Sequence, residues 1–197
     1  MTEVREARSR RGAYVALLFG AIVMVGAACT QNPTPPTDTT PPTIPECLPT
    51  SGSATSTSGA TITVSQVTCL EVGDVVTVTG SGFTSTGNLG GRPPLAGQPA
   101  GVYAVFGEFA DTWRPSQGAV SASRKILTQM WAIPAPSYSV LGGAAGTVLM
   151  AADGSFTADV TIAAPTNTHP TLAFATYGGS GSVNADEELQ VVASFDS

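Results

Sequence analysis

The chain has 197 residues, with eight basic and fourteen acidic side chains and a net charge of −6. That balance argues against nucleic acid and anionic lipid as electrostatic partners. Three cysteines and a lone histidine, His169, with no Cys-x-x-Cys, leave no zinc site to build.

The first 28 residues run basic, then apolar, then small. Arg5, Arg8, Arg10 and Arg11 precede an uncharged apolar run from Ala13 to Val25, which meets Gly26-Ala27-Ala28-Cys29. This is the layout of an export signal, and the run falls short of the roughly 20 apolar residues that span a bilayer, so residues 1–28 read as a cleaved leader. Ser9-Arg10-Arg11 has half of a twin-arginine pattern, which Ala13 and Tyr14 do not continue. Ala28-Cys29 resembles the cleavage box of bacterial lipoproteins, with Gly26 where that family usually has Leu, Val or Ile. The resemblance implies a diacylglyceryl thioether on Cys29 and a membrane contact made by the acyl anchor alone. Ordinary signal-peptidase cleavage after Ala28 is the alternative that the same small residues permit.

With Cys29 assigned to lipid, Cys47 and Cys69 remain as an even pair in an exported chain, where thiols tend to oxidise. A disulfide between them is expected. Residues 29–45 form the acylated terminus and a spacer, Thr30 to Pro45, in which six prolines and six threonines fill twelve of sixteen positions. Such a segment buries no apolar surface and extends as a semi-rigid stalk of about 50 Å at ~3.1 Å per residue. Its threonines suit O-glycan attachment by composition.

Residues 46–197 are long enough for one domain. The apolar period there is two. Phe156, Ala158, Val160 and Ile162 alternate with Ser155, Thr157, Asp159 and Thr161; Ile62 and Val64 repeat the pattern, as do Val76 and Val78. Residues 127–133, 172–177 and 189–195 are further strand candidates, rich in β-branched and aromatic side chains. Asp153-Gly154 predicts a tight hairpin linking residues 147–150 to the strand that follows. Seven to nine short antiparallel strands punctuated by Gly and Pro indicate an all-β sandwich or barrel.

The stretch GVYAVFGEFADTWRPSQG, residues 101–118, spaces four aromatics every three or four residues, but Gly101 and Gly107 speak against a helix. Val102 to Phe106 fit a strand covered on both faces, and residues 109–115 the bend leaving it. Two readings stay open. In one, Phe106, Phe109, Trp113 and Trp131 pack the core and close one end of the sandwich, with Arg114 or Arg124 paired to Asp111. In the other, Tyr103, Phe109, Asp111, Trp113, Arg114 and Arg124 form an exposed binding patch, since Trp, Tyr and Arg dominate hot spots.

VTVTGSGF (76–83), GRPPLAGQPAGVYAVFGEFADTWRPSQGAVSASRK (91–125), GGAAGTVLMAADGSFTADVTI (142–162) and YGGSGSV (177–183) together resemble the immunoglobulin-like module of actinobacterial cell-surface proteins. That module often accompanies haem-transport (HtaA-type) domains. The resemblance implies an immunoglobulin-like β-sandwich and no settled activity. The antibody pattern itself is missing, because no tryptophan lies between the two cysteines.

Chemistry-bearing residues are sparse. His169 stands in a loop before Pro170 with no serine placed beside it. Asn184, Asp186, Glu187 and Glu188 read as a solvated acidic turn rather than a calcium site, for want of regular ligand spacing. Glu108 and Asp111 form the only glycosidase-like pair. The expectation is a lipid-anchored, surface-exposed binding, adhesion or structural module without catalytic activity or cofactor, facing a cell-wall glycan or protein partner. The alternatives are a carrier of a small aromatic or haem-type ligand and a cell-wall hydrolase.

Overall fold

The computed structural model describes residues 47–141 and 143–195. The leader, Cys29 and the Pro/Thr spacer lie outside the described residues. Two sheets face each other across a common core, as the two-residue alternation predicts for a β-sandwich. The four-stranded sheet has the order β1 (Gly52–Thr55), β2 (Thr61–Val64), β3 (Val75–Ser81), β7 (Phe156–Thr161). The five-stranded sheet runs β6 (Thr147–Met150), β5 (Arg124–Pro134), β4 (Val102–Phe109), β8 (Thr171–Gly178), β9 (Gln190–Val192).

Alternation sorts each strand. Ile62, Val64, Val76, Val78, Ala158 and Val160 from the first sheet meet Val102, Ala104, Phe106, Ala132 and Phe174 from the second. The intervening Thr63, Thr79, Thr157 and Asp159 face water, where β-branched threonine suits an exposed pleat. Burying that core supplies the main driving force, at about 25 cal/mol per Å² of apolar surface. Cys47 and Cys69 are bonded, with Cα atoms 5.7 Å apart, which ties the chain before β1 to the β2–β3 loop.

Two expectations need correction. Residues 147–150 and 156–161 do not form a hairpin: Ala151 N donates to Ser155 O and Gly154 N to Ala151 O, so the tight turn exists, but its two strands enter opposite sheets. β6 pairs with β5 in parallel, Trp131 opposite Thr147, so the sheets are not wholly antiparallel. β6 already faces the core through Met150 and Val148; a turn that crosses between sheets lets β7 do the same from the other side. β1 is a strand that sequence patterning passes over, because GSAT offers only one β-branched residue, Thr55, and no apolar face of any size.

The strand β4 is covered on both faces. Its even positions Val102, Ala104 and Phe106 enter the inter-sheet core, and its odd positions Tyr103, Val105 and Phe109 join Trp113, Ala173 and Ala175 in a second cluster outside the sheet. That outer layer positions the site.

Candidate functional site

The outer face of the five-stranded sheet begins as an aromatic row. Register sets Trp131 of β5, Tyr103 of β4 and Tyr177 of β8 side by side. Their rings lie 5.1 Å and 5.4 Å apart between centroids and are tilted, within the range in which aromatic pairs attract. A bulge in β5 completes the floor. Ile126 pairs with Gly107 and Thr128 with Phe106, which leaves Leu127 as an extra residue. The extra residue shifts the alternation, so Ile126 turns outward while Leu127 and Met130 pack inward.

The segment leaving β4 folds back over this face as a wall. Trp113 is buried on Phe109, with its Nε1 donating to Gln190 Oε1 at 3.0 Å. Ser116 donates its N–H and hydroxyl to the buried Glu188 carboxylate, at 2.9 and 2.5 Å. Arg114 lies over the Trp113 ring, 5.0 Å from its centroid, and donates from Nε to Glu188 O. The opposite wall is the glycine-rich turn after β8 together with Arg92.

Between the walls is a cleft of about 450 Å³ whose lining includes Tyr103, Tyr177, Ile126, Arg92 and Arg124. Arg124 is held from two sides. Its Nη1 donates to Trp113 O, and its guanidinium sits 5.2 Å from the Tyr177 ring centroid. Burial pushes the Tyr177 phenol up to about 12; the neighbouring Tyr103 adds to the rise, while Arg124 opposes it by its charge and hydrogen bond. The Tyr103 hydroxyl accepts from Ser180 N at 3.2 Å. Pocket chemistry is therefore two cations and two phenols over a small apolar floor, with no carboxylate among the described lining residues.

The six residues of the predicted patch do not share one surface. Tyr103 and Arg124 line the cleft, Phe109 and Trp113 are buried beneath its wall, Arg114 packs on Trp113, and Asp111 is exposed. Both arginines are committed away from Asp111. Sequence reasoning missed Tyr177, Arg92 and Ile126; the cross-strand register that gathers Tyr177 and Ile126, and the loop approach of Arg92 to Gly181, have no linear signal.

The acidic residues serve as internal anchors. Glu108, 2 % exposed, accepts from Thr166 N and Asn167 N on Oε1, and from Thr168 N, the Thr166 hydroxyl and His169 N on Oε2. Burial alone would raise its pKa, but the N–H groups of Thr168, Thr166 and Asn167 and the Thr166 hydroxyl outweigh it and hold the carboxyl at about 2. A carboxylate held in that way is a poor proton donor near neutral pH. His169 borders a second cleft beside Glu108 and donates from Nε2 to Ala122 O at 2.8 Å. The acidic turn is solvated only in part: Asp186 is exposed, but Glu187 and Glu188 are buried. Glu187 accepts from Thr84 N and Asn88 Nδ2 at 2.6 and 2.5 Å, and burial is the main cause that pushes its carboxyl up. Among the described residues no group of three or more His, Cys, Asp or Glu is placed to hold a metal.

Comparison with family models, with curated proteins and with solved structures finds no match to the chain.

Proposed function

We propose that the chain is an exported, lipid-anchored surface protein that displays one immunoglobulin-like sandwich as a non-catalytic binding or adhesion module. The observation that carries this reading is the cleft on the outer sheet face, where Arg124 is fixed over Tyr177 beside Tyr103 and Arg92. A pre-oriented cation over aromatic residues, in a concave site, is how proteins gain affinity at low ordering cost. The leader, the Cys29 position and the Pro/Thr spacer support display at the outer face of the cytoplasmic membrane. The immunoglobulin-like assignment is supported by the two-sheet arrangement and by the sequence resemblance.

A second reading, a carrier of a flat aromatic or haem-type ligand, has the paired tyrosines in its favour. An iron-ligating phenolate must first lose its proton, and a Tyr177 pKa of about 12 opposes that. The hydrolase reading has little support, since Glu108 is engaged by the 166–169 loop.

Two measurements test the proposal. Intact mass of the membrane fraction is expected to show acyl mass on Cys29. Capture of cell-wall glycan or protein from wall extracts is expected with the unaltered protein and to fail with Arg124→Ala. Equal capture by both removes the cleft as the binding surface, and a haem-dependent Soret band lost in Tyr177→Phe favours the carrier.

A further inference from the structure

Resting on the reading of the cleft as the binding surface, we infer that its ligand is a sugar bearing one oxyanion, a carboxylate or a phosphate, held by Arg92 and Arg124 above Tyr103 and Tyr177. Charge placement carries the argument. After residue 28 the chain has only four basic residues, Arg92, Arg114, Arg124 and Lys125, in a protein of net charge −6. Two of the four line this one cleft, and among the described residues no Asp or Glu does.

Arg124 is half-buried, and its hydrogen-bond and stacking partners are neutral, the Trp113 carbonyl and the Tyr177 hydroxyl and ring. A guanidinium has five N–H donors in a planar fork that matches carboxylate or phosphate. Donors therefore remain for a ligand, on a cation already fixed in place. Arg92 lies along the glycine turn: a Cβ added to Gly181 would stand 3.3 Å from Arg92 Nε, at a backbone φ of +81°. The bare glycine keeps that approach open.

The rest of the lining selects the body of the ligand. Ser121 and Ser182 bring hydroxyls to the walls. The Tyr103 hydroxyl, which accepts from Ser180 N, keeps its own proton to donate. Ile126, Val183 and the phenol rings give a narrow apolar strip, suited to the C–H face of a pyranose. About 450 Å³ lies within the range of small-ligand sites. The protein's acidic balance turns away long polyanions, which leaves a sugar carrying a single carboxylate or phosphate group as the best match.

Calorimetry and amide NMR with D-glucuronic acid, glucose 6-phosphate and neutral glucose test the inference. Both acids are expected to bind with salt-sensitive affinity and to shift the Gly178, Ser180 and Gly181 amides, with glucose weaker by about tenfold or more. Their ranking distinguishes a carboxylate from a phosphate source. Arg92→Ala, at an exposed position, is expected to weaken both acids by about tenfold and leave glucose unchanged; Arg124→Lys keeps the charge, loses the fork and gives a smaller loss. Thermal melts verify that both variants fold. Equal binding of glucose and the acids, unchanged acid affinity in Arg92→Ala, or amides that move with none of the three probes overturns the ligand class. Wall-extract capture that still depends on Arg124 then leaves the binding-module reading standing, whereas loss of both removes both.

Discussion

Glu108→Gln isolates the anchor that ties the 166–169 loop to β4. The carboxylate offers two oxygens, each already surrounded by donors: Asn167 N at 2.7 Å on Oε1, Thr168 N at 2.5 Å and the Thr166 hydroxyl at 3.0 Å on Oε2. Glutamine keeps one acceptor and turns an NH₂ toward the remaining N–H groups, so at least one set of donors loses its partner. Hydrogen bonds to a charged acceptor contribute about 1.5–3 kcal/mol, and a buried donor left unpaired costs a similar amount. The pKa gives an independent figure. Between the ordinary 4.5 and about 2 lies roughly 3 kcal/mol of linkage. Thr166, Asn167 and Thr168 are exposed, so water screens part of it and ~2 kcal/mol is expected. The sign follows from the depressed pKa: the Glu108 contribution is complete above pH 4.5 and disappears as the pH falls toward about 2. Urea unfolding of the disulfide-intact protein from pH 2 to pH 7, followed by tryptophan fluorescence, measures both effects. The variant is expected to be about 2 kcal/mol less stable at neutral pH and to show a shallower decline in acid than the unaltered protein. A loss below about 0.5 kcal/mol at pH 7, or parallel acid declines, would falsify the anchoring role.

Gly154→Ala places a Cβ 1.6 Å from Phe83 O at a φ of +79°, so the turn that crosses between sheets must shift; a loss of roughly 2 kcal/mol or more is expected in the same assay. Replacing Cys47 and Cys69 by serine opens a cross-link of sequence separation 22 and is expected to cost about 3 kcal/mol, read from the urea midpoint. Ultraviolet difference titration at alkaline pH is expected to show one phenol ionising near pH 12, and Tyr177→Phe to remove that late step; a late step that persists in the variant contradicts the burial of Tyr177.

Much of the scaffold is legible along the chain because burial on a pleated strand imposes a period of two. Thr61 to Val64 and Phe156 to Thr161 alternate cleanly and become β2 and β7 with the expected residues inside. The Cys47–Cys69 bridge is the pairing the sequence suggests once Cys29 is set aside. The site is legible only in part. Tyr103 and Arg124 stand out as residue types, but Trp113 and Phe109 carry the same hot-spot signature and are spent on packing. Glu187 and Glu188 look like a wet acidic turn, yet each is buried by donors more than 70 positions away in the chain. No local rule reports such partners.

What the amino-acid order by itself determines is the period, the punctuation and the charge sparsity, since each depends only on near neighbours. Tertiary structure decided the rest. Whether residues 147–161 form a hairpin or cross between sheets depends on which partners β6 and β7 find, Trp131 to Pro134 for one and β3 for the other. The facing of Ile126 depends on a single extra residue in β5. Arg124 pairs with Phe109, and Phe109 with Thr171, six residues before Tyr177, yet its guanidinium lies over the Tyr177 ring. A cleft that depends on such a contact exists only once all the strands are paired.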